Sequence, residues 1–395
     1  MRFQQISLFA GLLVSQIGAS QAQEVWPTRQ WPTASPASVG LDSSVLAAFD
    51  QELASGKYGA VDGMLVIRHG KIAYERNYRR NYDSIYGADA RLPGPLNAHD
   101  PGGPYNYFNP WWHPFYRRGD LHSLQSVTKT VASVVIGVAT TRGDFPGIDT
   151  PVLSFFDTTR VLNIDARKRR MTVRHLLTMT AGLDWNENLP YTDTNNAASQ
   201  MEASPDWVTF TINRPMAEEP GQRFNYSSGA SLLLAHVFSA ATGQDIEEYA
   251  AKYLFAPLGI DQWHWKRTPT GPADTEGGLY LRPRDLAKIW YLFMKNGLRE
   301  GKQVVSQEWV RASVTPAVDA GPRGSGVKYG LKWWLVPYDN SGKLAWAGSG
   351  FGGQVPIAIP EQDLLVVFTA WNVVGGRPAL GRQVILQRVM GALRP

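Results

Sequence analysis

The sequence predicts an α+β protein, an α/β sandwich in which an antiparallel sheet is assembled from the two ends of the chain and a helical region is inserted between them. Three observations carry this. Strand-like apolar runs occur near the N-terminus and again toward the C-terminus, the stretch from Ser126 to about Trp265 follows helical period, and a closing helical pattern is suited to cover the sheet.

In chain order, a Pro/Ser/Thr-rich lead over 26–39 gives way to a helix over 41–54, its start signalled by Asp42-Ser43-Ser44. Gly63-Met64-Leu65-Val66-Ile67, a turn at 68–71 and Ile72-Ala73-Tyr74-Glu75 read as a β-hairpin. Residues 82–114 are irregular and rich in Gly, Pro, Asn and aromatics, and loops of that length in compact domains tend to be functional. Helical patterns follow at 126–138, at 173–179 closed by Gly182, and at 231–240, 246–254 and 284–296. The chain then turns to strands at 329–337, 342–347, 354–359 and 364–370, with Pro360-Glu361-Gln362-Asp363 as the last turn. Leu380, Val384, Val389, Met390 and Leu393 mark the closing helix over 379–393. The sheet part should span about 23–115 and 278–395 and the helical part about 116–277, with a cleft where they meet.

Residues 1–22 combine an early basic residue (Arg2), an apolar stretch from Ile6 to Val14 and a small-x-small end, Ser20-Gln21-Ala22. That pattern predicts a secretory signal cleaved after Ala22, leaving 23–395 as the mature, periplasmic or secreted chain. The apolar stretch is too short to span a bilayer. With no cysteine there is no lipid attachment site, disulfide framework or thiol chemistry, so no stable membrane anchor is expected. A net charge of +5 decides little, and its one dense run, Arg167-Lys168-Arg169-Arg170, reads as a solvated loop rather than a nucleic-acid patch. Metal-ligand spacing is missing, and no cofactor is expected. The oligomeric state is not legible.

The chemistry begins at Ser126-Val127-Thr128-Lys129. On a helix these positions share a face about 5–6 Å apart between Cβ atoms, so the lysine nitrogen reaches the serine oxygen. Val127, Val131, Val134, Val135, Ile136 and Val138 leave no wide polar face, which makes the helix a buried one and leaves Lys129 little but a cleft to enter. Desolvated there, Lys129 is expected to lose its charge and accept the serine proton.

Two further motifs supply what such a pair needs. Pro220-Gly221 turns the chain so that Tyr226 stands just before an apolar helix, where a phenol near a lysine can carry protons. Gly348-Ser349-Gly350-Phe351 lies at a strand edge, and glycines in such a place mark a close approach of ligand or backbone. The backbone N–H groups of Phe351 and Ser126 would form a two-donor oxyanion hole. His113 and His175 do not make a Ser-His-Asp triad, because no Gly-x-Ser-x-Gly elbow is present.

In this order the three elements resemble the serine β-lactamase and penicillin-binding protein superfamily. Gly63 to Ile67, Thr172 to Leu183 and Gly352-Gly353-Gln354 are similar to its class C branch, in particular the esterases and 6-aminohexanoate-dimer hydrolases. The resemblance implies a β-lactamase/transpeptidase-like fold, Ser126 as acylated nucleophile, Lys129 as base and Tyr226 as proton shuttle. Two departures bear on substrate. Ser228 replaces an asparagine that contacts the side-chain amide of β-lactams, and Gly348-Ser349-Gly350 replaces Lys-Thr-Gly, removing a carboxylate-binding cation. The expected function is therefore hydrolysis of small esters or linear amides through an acyl-enzyme. β-Lactamase or D,D-peptidase activity, or a non-catalytic binding or sensor protein of the same fold, are the alternatives. Ser228, Ser349, Gly350 and Phe351, with the loop tryptophans Trp112 and Trp185, are the expected substrate-binding residues.

Overall fold

The computed structural model describes residues 26, 27, 30–375 and 378–394. The leader expected over 1–22 lies outside them.

An eight-stranded antiparallel sheet forms the backbone of the fold. The hairpin Val61–Arg68 and Lys71–Asn77 stands at one edge, and the last strand, Leu364–Ala370, joins it by pairing Met64 with Phe368 and Val66 with Val366. Strands Val355–Ile359, Leu344–Ala347 and Trp334–Pro337 follow in order, and Lys328–Tyr329 and Val318–Asp319 complete the far edge. The expected strand over 329–337 is thus broken, because Gly330 to Trp333 form a bend in which Lys332 takes a left-handed φ of 67°.

Period-two patterning makes three layers. On one face Val61, Met64, Val66, Leu364, Val366 and Phe368 pack beneath the helices Ser43–Ala54 and Arg382–Gly391. Asp42 caps the first of these, its Oδ1 accepting from Ser44 N at 2.8 Å. On the other face Leu65, Ile67, Leu365 and Val367 pack with the helix Pro283–Met294 and the inserted helices. In that inserted region every residue from Val127 to Ala139 of the helix Val127–Arg142 is buried, and the helix Ser228–Thr242 lies beside it. A helix buried on all sides draws its stability from packing rather than from an amphipathic stripe.

A small sheet of His122–Ser123, Leu279–Leu281 and His264–Trp265, in which Ser123 pairs with Tyr280, has strands too short to leave a periodic signal in the chain. It stitches the segment before Ser126 to the segment after Glu276. Among the described residues no helix is long and apolar enough to cross a membrane.

Candidate active site

Ser126 stands at the N-cap of the Val127–Arg142 helix. The chain enters it through Gln125, held at φ 47°, a left-handed conformation uncommon outside glycine. Leu124 N–H donates to Leu279 O at 2.9 Å, and Leu279 N–H to Thr128 Oγ1 at 3.1 Å, so the small sheet fixes both the entry and the first turn.

One turn on, Lys129 is 1% exposed and its Nζ lies 2.8 Å from Ser126 Oγ. The helical spacing places the pair as the sequence requires, but the charge state differs from expectation. Lys129 Nζ also donates to Glu276 O at 2.7 Å and pairs with Glu276 Oε2 at 3.2 Å. Burial pulls the ammonium's pKa down, yet the Tyr226, Glu276 and Glu187 side chains together outweigh it and hold the pKa above the ordinary lysine value. Lys129 therefore rests as an ammonium with a carboxylate counterion. Asp274-Thr275-Glu276-Gly277-Gly278 reads as an ordinary polar turn, so nothing local to the sequence announces Glu276.

Tyr226 precedes the helix Ser228–Thr242, whose N-cap Ser227 accepts from Ala230 N at 3.0 Å. Asn225 Nδ2 donates to Trp185 O at 2.8 Å and pins this loop. The phenol ring faces Lys129, with Nζ 5.3 Å from its centroid, and stacks on Trp334 at 6.0 Å. Burial raises its pKa above the ordinary tyrosine value, while Lys129 and a hydrogen bond from Ser126 oppose the rise.

The strand edge meets this pair where Gly350 passes Leu124. A Cβ on Gly350 would lie 2.4 Å from Leu124 O, so only glycine lets the two backbones come this close. Gly350 N–H donates to Gln354 O at 2.8 Å. The fully buried Gln354 amide clamps the turn, with Nε2 donating to Phe351 O at 3.0 Å and Ala370 O at 2.8 Å. Ser126, Tyr191, Tyr226, Trp334, Ser349, Gly350 and Phe351 line the resulting cleft of about 210 Å³.

Three expected substrate-binding side chains lie elsewhere. Ser228 is buried and committed to Glu187, which accepts from Ser228 N and Oγ, each at 2.7 Å. Trp185 is buried under the Tyr226 loop, its ring against Gly229 and its Nε1 donating to Glu187 at 2.8 Å. Trp112 donates from Nε1 to Gly102 O and sits by Tyr116 and His264, because the 82–114 loop turns Tyr107 inward instead. Tyr191 and Trp334 take the lining positions, and Tyr191 OH is held by Glu187 at 2.7 Å. Glu187, Tyr191 and Glu276 are thus groups that the sequence alone did not bring into the site. Lys332 adds a fourth: its Nζ donates to Ser231 Oγ at 2.8 Å, and burial together with Lys129 pulls its pKa far below the ordinary value. Among the described residues no cluster of His, Cys, Asp or Glu is placed to hold a metal ion.

The Beta-lactamase family model matches residues 48–387, and the chain belongs to that family. It is 26% identical over 283 residues to the 6-aminohexanoate-dimer hydrolase of Paenarthrobacter ureafaciens, covering 65% of this chain and 69% of that one. It is also 26% identical over 239 residues to Esterase EstB of Burkholderia gladioli, covering 57% and 53%. In fold it is similar to a D-stereospecific amidohydrolase from Streptomyces sp., with a TM-score of 0.61 at 16% identity, covering 87% and 98%. Family membership with hydrolases among the relatives supports serine-hydrolase chemistry through an acyl-enzyme at the level of the superfamily.

Proposed function

We propose that this chain is an exported hydrolase of small carboxylic esters or linear amides, with Ser126 as nucleophile, Lys129 as base and Tyr226 as proton shuttle. The observation that carries the reading is the 2.8 Å approach of Lys129 Nζ to Ser126 Oγ at the floor of a cleft that Tyr226 also faces. As Oγ attacks the carbonyl carbon, Lys129 takes the Ser126 proton across 2.8 Å and gives one of its own to Tyr226, while the Glu276 carboxylate 3.2 Å away stays ionised as its counterion. Tyr226 delivers its hydroxyl proton to the leaving oxygen or nitrogen and is refilled by the proton from Lys129, so Lys129, Tyr226 and Glu276 end acylation in their starting states. The backbone N–H groups of Ser126 and Phe351 receive the oxyanion, in a turn held rigid by Gln354.

The substrate side of the reading rests on what the cleft lacks. A Cβ on Gly348 would meet Pro356 Cγ at 2.9 Å and Trp290 Cζ2 at 3.0 Å, so the volume a lysine side chain would need is already filled. Ser228 spends its hydroxyl on Glu187. At positions 348 and 228 a β-lactam finds neither a cation for its carboxylate nor an amide for its side chain, whereas a short ester needs neither. The relatives named as an esterase and as a 6-aminohexanoate-dimer hydrolase fit the same class.

The test is Ser126→Ala. Hydrolysis of p-nitrophenyl acetate and labelling by a fluorophosphonate should both vanish while circular dichroism is unchanged. Retained turnover in that variant would remove Ser126 as nucleophile.

A further inference from the structure

Behind Ser126 the cleft continues into a second, inner cavity. Ser126, Tyr191 and Phe351 line both spaces, and the inner one adds Glu202 and Glu276. Its volume of about 20 Å³ exceeds the ~10–15 Å³ that one water requires, and the polar groups around it satisfy a water's need for two to four partners. We infer that this inner cavity holds the water that releases the acyl group from Ser126, and that the Glu276–Glu202 pair accepts the proton of that water. The inference rests on the acyl-enzyme reading above.

Three features of the fold build the site. The helix Ala197–Glu202 brings Ala198, Ser199 and Glu202 to the cavity, and Ser199 Oγ is anchored to Tyr191 O at 2.8 Å. Tyr107, delivered by the long 82–114 loop, donates to Glu202 Oε1 at 2.7 Å. Glu276 arrives through the small sheet that also positions Ser126. The two acids hydrogen-bond to each other, so one proton serves both. Burial and the neighbouring Glu276 raise the Glu202 pKa far above the carboxylate range. Burial would raise Glu276 as well, but Lys129 and the hydrogen bond from Glu202 hold it below. Glu276 is therefore the ionised member, able to accept a proton beside the nucleophile.

A water in the inner cavity lies beside Ser126 with Glu276 next to it, whereas a molecule entering by the outer cleft of about 210 Å³ meets no acid in its lining. Its oxygen bonds to the acyl carbon and its proton passes to Glu276. The tetrahedral intermediate collapses by breaking the carbon–Oγ bond. Oγ takes a proton from Lys129 Nζ across 2.8 Å, and Lys129 recovers one from Glu276 Oε2 across 3.2 Å. The circuit closes with Ser126, Lys129 and Glu276 restored, and the products are the free acid and nothing else.

The experiment compares wild type, Glu276→Gln and Ala198→Leu. Ala198→Leu puts its side chain into the cavity and leaves both acids in the sequence. Stopped-flow release of p-nitrophenol from p-nitrophenyl butyrate separates acylation from deacylation, intact mass follows butyryl-Ser126, and added methanol reports the partition between transfer and hydrolysis. Glu276→Gln should retain a burst while deacylation falls on the order of 10²–10⁴-fold, the range for a lost general base. Ala198→Leu should slow deacylation about 10-fold or more, in line with the cost of misplacing a reactant by an ångström. In both, the methanolysis-to-hydrolysis ratio should rise. Acylation and deacylation falling by the same factor in Glu276→Gln, or unchanged deacylation in Ala198→Leu, would overturn the water site while leaving the acyl-enzyme intact. If Glu276→Gln does not fold, Ala198→Leu decides alone. Failure to detect butyryl-Ser126 in any of the three proteins would instead remove the acyl-enzyme reading itself.

Discussion

Gly350→Ala tests the geometry of the oxyanion hole more sharply than any polar substitution, because the perturbation is purely steric and its size is known. The added Cβ would sit 2.4 Å from Leu124 O, so the strand edge and the Ser126 segment must part by 0.6 Å to reach 3.0 Å and by 1.0 Å to reach ordinary contact at 3.4 Å. Displacing a catalytic element by an ångström costs about 10²-fold in rate, and losing one oxyanion donor outright costs about 10²–10³-fold. We expect kcat/KM for p-nitrophenyl butyrate to fall roughly 10²-fold, and fluorophosphonate labelling to slow in parallel, since both steps build charge on the same oxygen. Overpacking should also cost about 1–3 kcal/mol of stability, visible as a modest drop in Tm but not as unfolding. Gly375→Ala, whose Cβ would meet nothing within 4 Å, is the control and should behave as wild type. A folded Gly350→Ala protein with wild-type kcat/KM would show that the Phe351 amide does not serve the oxyanion.

Lys129→Ala should lower kcat/KM on the order of 10²–10⁴-fold, and Lys129→Arg should not restore it, because arginine keeps its proton; rescue by arginine would reduce Lys129 to a fixed charge. Nitrocefin should be turned over about 30- to 2,000-fold less efficiently than by an enzyme with both missing contacts, from roughly 1.5–3 kcal/mol for the charged hydrogen bond and 0.5–1.5 kcal/mol for the neutral one. Gly348→Lys should lower Tm without creating nitrocefin activity, since Pro356 and Trp290 already fill that space; efficient nitrocefin hydrolysis by either protein would move the substrate class back to β-lactams. Glu202 gives a pH signature: its folded-state pKa is raised, so the fold keeps a proton that the unfolded chain has released, and stability falls as pH climbs above the ordinary carboxylate range until Glu202 itself ionises. Glu202→Gln carries no such term, so its Tm relative to wild type should rise from about pH 4 to about pH 7; a difference independent of pH would show that Glu202 is ionised in the fold.

What the sequence makes legible is set by how local each signal is. The hairpin at 61–77 and the strands from 344 to 370 are visible because their apolar runs are bounded by turn residues, and Ser126 with Lys129 is visible because helix geometry alone brings positions i and i+3 together. The partner of that pair is not visible. Glu276 is far from Lys129 in the chain and reaches it only through the pairing of Ser123 with Tyr280, two-residue strands too short to show periodicity. The place of Trp185 is hidden for a related reason. A tryptophan after a glycine turn suits a pocket wall or a buried prop equally well, and its indole N–H bond to Glu187 decides for the prop. Trp334 is one of several tryptophans that the sequence alone leaves between core and pocket wall, and the bend at Lys332 turns it toward Tyr226.

The same buried acids explain why loss of the recognition residues leaves the reacting groups in place. Glu187 draws four donors onto itself, from Trp185, Tyr191 and both polar groups of Ser228, and so fixes the floor on which Tyr226 and Tyr191 stand. Glu276 does the equivalent for Lys129. Both acids add negative potential beneath the cleft, as the upward pull on the pKa of Lys129 records. A substrate carboxylate entering over that floor meets no cation at Gly348. A neutral acyl group meets the rings of Tyr191, Trp334 and Phe351, which reward apolar area and ask for no charge. The proposed preference for small neutral acyl groups thus rests on those apolar walls and on the missing lysine at position 348, and a variant aimed at anionic substrates has to change both.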